Sequence, residues 1–189
     1  MAYTNAEARG TLLDDLASGA AQIGAALATL GEAYENLDDQ SADRLEEQLF
    51  RPVQAAYGRA KRELSAFAAR YELPAPAVDE PSQGRPSTAK ESIGHAADAL
   101  RAADEIISAL QDSMLPVEVG DPELRAGLSQ VRELISPLPG RAHEFLRTLG
   151  RQWWGPGAWR RPARAWRARA AARGRPRSAG RGCPPHSPP

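Results

Sequence analysis

The sequence predicts an all-α protein, an antiparallel four-helix bundle made of two helical hairpins and followed by a disordered, basic C-terminal tail. Apolar residues recur at steps of three and four along four long segments, and no segment alternates as a β-strand does. Residues 1–150 hold all 24 acidic and 14 basic side chains, a net charge of −10, whereas residues 151–189 hold 10 basic and no acidic ones. Only the first part has the large aliphatic residues that a core requires.

The first helix is predicted over about residues 5–37. Thr4 and Glu7 have the spacing of a capping box, in which each residue's side chain accepts a hydrogen bond from the other's backbone amide. The apolar stripe of this helix consists of Leu13, Leu16, Ala20, Ile23, Leu27, Leu30, Tyr34 and Leu37. Its unbroken steps keep one face of the helix turned toward a partner helix, as in a coiled coil.

The second helix is predicted over about residues 41–72, after turn and cap residues that begin at Asp38. Its stripe consists of Leu45, Leu49, Val53, Tyr57, Ala60, Leu64, Phe67 and Tyr71. Pro52 lies inside this stripe, where three successive steps of four occur. Because a proline there removes a backbone hydrogen bond and clashes with the preceding turn, we expect a kink near Gln48 to Pro52.

Residues 73–87 contain four prolines and no sustained periodicity, which predicts an extended linker. Links between bundle helices usually take about two to eight residues, so this one is long. The sequence leaves open whether it crosses one end of the bundle, spans its length or is mobile. It also leaves open two separate hairpins, 5–72 and 88–150, that pair with copies of themselves.

The third helix is predicted over about residues 88–115. Thr88 and Glu91 form a second capping box, and Pro116 ends the element. Its stripe consists of Ile93, Ala96, Leu100, Ala103, Ile107, Leu110 and Met114.

The fourth helix is predicted over about residues 121–150. Asp121 is a suitable cap before Pro122, because the first amides of a helix lack partners in any case. Its stripe consists of Leu124, Leu128, Val131, Ile135, Leu138, Ala142, Phe145 and Leu149. Two further prolines predict a break, with Ser136 as the cap of a second piece that begins at Pro137.

No constellation in the sequence is typical of catalysis, of a metal site or of a cofactor site. Glu91 and His95 are the pair nearest to a di-iron Glu-x-x-His motif, but they are four apart and lie beside the core stripe. Cys183 lies in the tail, where no base can be held next to it. Buried hydroxyls of Tyr34, Tyr57 and Tyr71 need partners, so their clustering around a cavity would favour an enzyme. We therefore predict no catalytic residue, no metal and no cofactor.

The tail, residues 151–189, has ten arginines, no lysine and all four tryptophans. It fits an arm that neutralises phosphates and stacks aromatic rings on bases or in a lipid headgroup layer. The candidate partner-binding residues are Trp159, Arg160, Arg161, Arg164, Trp166 and Arg167. The same composition also fits a passive basic extension, or a terminus read from a shifted frame in G/C-rich DNA.

These observations predict a non-catalytic interaction or scaffolding protein that binds another protein, or a copy of itself, through helix faces. The first alternative is a protein whose basic arm binds nucleic acid or an anionic membrane surface, and the second is an enzyme with a site in a bundle cavity. No small-molecule substrate is identified. Neither a secretory signal nor a membrane span is recognisable, so the expected location is the cytoplasm.

Overall fold

A computed structural model describes residues 4–78 and 88–152, all within one compact unit, Met1–Pro156. The elements are α1 (Asn5–Glu35), α2 (Asp39–Leu45), a π-helical turn (Glu46–Phe50), α3 (Arg51–Arg70), α4 (Ala89–Asp112), α5 (Leu115–Glu118), α6 (Pro122–Ile135) and α7 (Leu138–Gln152). No strand occurs in the described residues, so the all-α prediction is confirmed. Within the same ranges, none of the helices has both the length and the apolar character that a membrane span needs.

Both predicted capping boxes form. The Thr4 amide donates to the Glu7 carboxylate at 2.9 Å while the Glu7 amide donates to the Thr4 hydroxyl at 3.3 Å, and Thr88 and Glu91 repeat this exchange at the start of α4. The backbone hydrogen bond from Thr4, and then the bond from its hydroxyl, lower the pKa of Glu7; Thr88 lowers the pKa of Glu91 in the same way.

Aspartates cap the other two long helical segments. Asp38 accepts from the Ser41 amide at 3.0 Å and Asp121 from the Leu124 amide at 2.7 Å, the latter directly before a proline as predicted. Burial raises the pKa of Asp38, but hydrogen bonds from Ser41 outweigh it and hold that pKa below its ordinary value. Burial also raises the pKa of Asp121, and hydrogen bonds from Leu124 and Arg70 outweigh it with the same result.

Acid is therefore expected to weaken the start of every long helical segment. A carboxylate whose pKa is lowered by folding stabilises the protein fully above its unfolded pKa of about 4, and this contribution is lost as the pH falls through the lower folded value. The groups concerned are Glu7, Asp38, Glu91 and Asp121. Asp15 acts in the opposite sense, because burial and then repulsion from Asp14 raise its pKa. Urea unfolding at a series of pH values should show the free energy of unfolding falling below about pH 5.

The variant Asp121→Asn provides the control, because asparagine also caps helices well but carries no charge. It should flatten the dependence of the free energy of unfolding on pH. An unchanged dependence would contradict the role assigned to this carboxylate.

The helix that continues from α2 departs from α-helical geometry directly before Pro52. The Arg51 amide donates to the Glu46 carbonyl, five residues back rather than four. A proline ring in a regular α-helix collides with the carbonyl four residues earlier, and the wider turn relieves that collision. It also fits the steps of four between Leu45, Leu49 and Val53, which are all buried. The irregularity expected near Pro52 is thus a π-helical turn, while the kink stays a prediction.

A second stripe of buried residues on α1, which the sequence pattern did not reveal, contacts α4 at Gly19. It consists of Leu12, Gly19, Ala26 and Ala33, all buried and seven residues apart. A Cβ atom added to Gly19 would lie 3.1 Å from Ile107 Cγ1. The absence of a side chain at Gly19 lets α1 and α4 approach closely there. The helices are antiparallel, because Arg9, near the start of α1, reaches Val119, which lies beyond the end of α4.

The helix α1 is also antiparallel to α3. A Cβ atom on Gly24 would lie 3.1 Å from the Tyr57 ring, and the guanidinium of Arg9 lies 4.0 Å from the centroid of the Tyr71 ring. The absence of a side chain at Gly24 thus leaves room for the Tyr57 ring.

The last two helices pack against the earlier ones. Both α6 and α7 contact α4; in addition, α6 packs against α3 and α7 against the π-helical turn. The segment from α2 to α3 and the segment from α6 to α7 are antiparallel, since their contacts share one register: Arg44 with Thr148, Glu63 with Gly127, and Arg70 with Asp121.

The break between α6 and α7 falls at the predicted place, but Ser136 has a different role. It has helical backbone angles and donates its amide to the Arg132 carbonyl, so it ends α6 and does not cap α7. The first hydrogen bond of the next helix runs from the Arg141 amide to the Pro137 carbonyl. Residue 138, not Pro137, is the first residue of α7.

The directions of the helices decide one question about the linker. Because α3 and α4 are both antiparallel to α1, they are parallel to each other, and the end of α3 lies far from the start of α4. The distance between these two helix ends is about the length of α4, which is about 36 Å for its 24 residues. A link across one end of the molecule is therefore excluded. After α3, Leu73 and Val78 are half-buried and pack against the core.

Candidate functional site

The partner-binding residues predicted from the sequence all lie in the tail, outside the described residues. They are Trp159, Arg160, Arg161, Arg164, Trp166 and Arg167. Within the described ranges, the feature best suited to binding a partner is the connection between α4 and α6, residues 113–121. We call it the clamped loop.

The clamped loop exposes two large apolar side chains. Met114 and Val117 are each 59% exposed. They are three residues apart on one helical turn, so they lie on the same face. The prediction that Met114 ends the core stripe of the third helix is wrong. The helix ends at Asp112, and Ser113 is extended, which turns the next residue away from the core.

The backbone of the clamped loop is held by its own hydrogen bonds. The Met114 carbonyl accepts from the amides of Val117, at 3.0 Å, and Glu118, at 2.8 Å. The Leu115 carbonyl accepts from Val119, at 3.0 Å, and from residue 120, at 3.2 Å. The conformation of the turn therefore does not depend on its two exposed side chains.

Arginines from two other helices hold carbonyl groups of the same turn. Arg9 of α1 donates through Nε to the Val119 carbonyl at 3.0 Å. Arg125 of α6 donates through Nη1 to the Pro116 carbonyl at 3.1 Å. A charged donor strengthens such bonds relative to neutral ones.

A third arginine, Arg70 of α3, fixes the end of the clamped loop. It donates to both carboxylate oxygens of Asp121, at 2.9 and 3.1 Å, in the two-pronged geometry that favours arginine over lysine. It also lies 3.1 Å from the carboxylate of Glu123. The loop is thus tied to α1, α3 and α6 together.

Substitution of Gly120 by alanine should distort this loop. An added Cβ would lie 2.6 Å from the Pro116 carbonyl oxygen and 3.0 Å from its Cα, and these are backbone atoms that cannot rotate away. We expect a loss of about 1–3 kcal/mol in the free energy of unfolding, as for other overpacked sites. Urea unfolding monitored by circular dichroism measures it.

Gly140→Ala is the matched control, since no atom lies within 4 Å of the added Cβ. This control should be neutral or gain up to about 1 kcal/mol from the helix propensity of alanine. Equal free energies of unfolding for the two variants would contradict the tight turn at position 120.

The three tyrosines are not brought together. Tyr57 and Tyr71 both lie on the segment from α3 to its C-cap, fourteen residues apart, or about 21 Å along the helix. Tyr34 lies on α1, ten residues after Gly24, which contacts the Tyr57 ring. Tyr34 is therefore about 15 Å from Tyr57 along the helix axis, in the direction away from Tyr71. The clustering that would favour an enzyme does not form.

Glu91 is engaged in its capping box, and both it and His95 are exposed.

The clamped loop presents exposed apolar side chains and no catalytic constellation among the described residues. Its exposed apolar area can be buried by a partner at a gain of about 25 cal/mol per Å². In the part of the chain that the structure describes, no group of three or more His, Cys, Asp or Glu side chains is placed to hold a metal ion.

Comparisons with protein-family models, with curated proteins and with solved structures found no match.

Proposed function

We propose that the protein is a non-catalytic interaction or scaffolding module whose clamped loop contacts a partner protein. One observation carries the proposal: two exposed apolar side chains, Met114 and Val117, on a backbone fixed by arginines from three helices. A rigid loop loses little conformational entropy on binding, so more of the contact energy is retained as affinity. Methionine adds a flexible, polarisable side chain that adapts to a partner's surface.

The proposal includes an antiparallel four-helix bundle as the scaffold, in a cytoplasmic protein. The contacts in its support give each long helical segment two antiparallel neighbours: α1 lies beside α3 and α4, and the α6–α7 segment packs against both of these. The parallel relation of α3 to α4 corresponds to a bundle with one long crossover connection.

Affinity capture from the source organism's extract tests the proposal. The full chain is compared with the double variant Met114→Ser with Val117→Ser, and with Leu134→Ser as the matched control. Leu134 is also exposed, at 37%, but lies on α6, away from the clamped loop. We expect the same proteins, or further copies of this chain, to be retained by the original chain and the control and lost with the double variant. Retention by all three proteins would contradict the proposal.

A second candidate function is supported by the composition of the tail, with its ten arginines and four tryptophans. In this function the tail binds nucleic acid or an anionic membrane surface. Single-stranded DNA and phosphatidylserine vesicles are the probes, and the full chain is compared with a variant in which Arg160, Arg161, Arg164 and Arg167 are glutamine. Binding that weakens steeply with salt and with these substitutions is expected. Equal binding by the variant would exclude this function.

A further inference from the structure

We infer that the clamped loop binds a basic amphipathic segment, one that places apolar residues a helical turn apart and flanks them with lysine or arginine. The inference rests on the proposed function, since it takes this loop as the binding surface. Its support comes from how charges are used around the loop, from the spacing of the two apolar side chains, and from the charge of the helical part of the chain.

Among the described residues, three arginines contact the loop. Arg9 and Arg125 donate to backbone carbonyls of the loop, and Arg70 is shared between Asp121 and Glu123. The charge of Arg70 is thus paired with carboxylates, and Arg9 and Arg125 each donate a hydrogen bond to a backbone carbonyl.

The negative charges beside the apolar pair face solvent. Asp112 and Glu118 are both exposed, and neither forms an ion pair within the described ranges. Glu118 lies four residues after Met114, so it is on the same face of the turn as Met114 and Val117. The apolar pair therefore has one exposed carboxylate on its own face, Glu118, and a second, Asp112, two residues before Met114, both without an ion pair among the described residues. An acidic partner segment would be repelled where a basic one is attracted.

The charge of the whole helical part acts in the same direction. Residues 1–150 carry a net charge of −10, whereas the whole chain, with ten arginines in residues 151–189, is neutral. The acidic excess within the helical part favours a cationic segment over an anionic one at its surface. A helix that lies on an apolar contact typically presents residues at steps of three and four. Met114 and Val117 match one such step, and lysine or arginine beside it would meet Asp112 and Glu118.

Binding of a short amphipathic helix made of leucine and lysine, labelled with fluorescein, tests the inference on the full chain. Met114→Ser with Val117→Ser should weaken binding at least tenfold. Asp112→Asn with Glu118→Gln should weaken it at least threefold. The matched control is Asp39→Asn with Asp43→Asn, which neutralises two exposed carboxylates of α2, far from the loop. This control should bind as the original chain does.

Two results would overturn the inference. One is equal weakening by the α2 control and by the loop carboxylate variant, which would mean that net charge alone governs binding. The other is unchanged binding by the apolar variant. If the peptide fails in this way while capture from extract still depends on Met114 and Val117, the loop binds a partner of other chemistry and the proposed function stands. If both assays are insensitive to these residues, both proposals fail.

Discussion

Replacement of Gly127 by alanine should destabilise the protein by about 1–3 kcal/mol, although the same change inside a helix is ordinarily favourable by about 1 kcal/mol. The reason is Glu63, which is only 9% exposed and lies over Gly127 where α3 meets α6. An added Cβ would lie 2.3 Å from the Glu63 carboxyl carbon, so the side chain would have to leave. Its departure would break the 2.8 Å ion pair with Arg59.

A double-mutant cycle identifies the cause of that loss. Glu63→Ala combined with Gly127→Ala removes the collision, so the two changes together should cost less than their separate costs added, by about 0.5–3 kcal/mol. Gly94→Ala is the matched control in α4, where no atom lies within 4 Å of the added Cβ, and it should stabilise. Strictly additive costs, measured by urea unfolding, would show that the two residues do not interact.

Deletion of Gln48 should be tolerated once Pro52 is replaced by alanine, whereas deletion of Gln54 in the same background should be severe. The π-helical turn holds one residue more than an α-helical turn, so loss of Gln48 converts it to regular helix and leaves the later residues of the helix in place. Loss of Gln54, from the regular helix α3, rotates every later residue of that helix by about 100°. Buried residues such as Leu64 and Phe67 would then leave the core.

The expected sizes differ enough to be measured without ambiguity. The Gln48 deletion should change the free energy of unfolding by less than about 1 kcal/mol relative to Pro52→Ala alone. The Gln54 deletion should cost at least about 3 kcal/mol, the loss typical of removing one or two large core side chains. Both deleted residues are exposed, so lost side-chain contacts do not account for the difference. Similar losses for the two deletions would be incompatible with an extra residue stored in the π-helical turn.

The helix starts could be predicted from the sequence because their interactions are local. Thr4 with Glu7, and Thr88 with Glu91, are three residues apart, and each pair satisfies its own helix start whatever the rest of the chain does. Helix ends are harder to predict. No glycine or proline marks Asp112 as the last residue of α4, and the periodic pattern continues to Met114, so the pattern wrongly places that residue in the core.

The second stripe on α1, which includes Gly19, Ala26 and Ala33, could not be predicted from the sequence for a different reason. Gly19, Ala26 and Ala33 are weakly apolar, so a hydrophobic pattern does not distinguish them from solvent-exposed positions. The burial of Gly19 becomes apparent only with Ile107 in place, 88 positions later in the chain. The clamped loop is likewise not local, since Arg9 and the Val119 carbonyl that it binds are 110 residues apart. Its turn chemistry, at Pro116 and Gly120, is the signal that the sequence offers.

The close packing of α1 with α4 has a consequence for synthesis of the chain on the ribosome. The helix α1 is complete at Glu35, but its partner is complete only at Asp112. At typical elongation rates the interval between the two is about 4–15 s. During that time Gly19 lacks the Ile107 side chain that covers it in the folded protein, whereas α3 is complete earlier, at Arg70. A newly made chain therefore passes through a stage in which half of the surroundings of α1 are missing, and a chaperone that recognises exposed apolar helix faces would act at that stage.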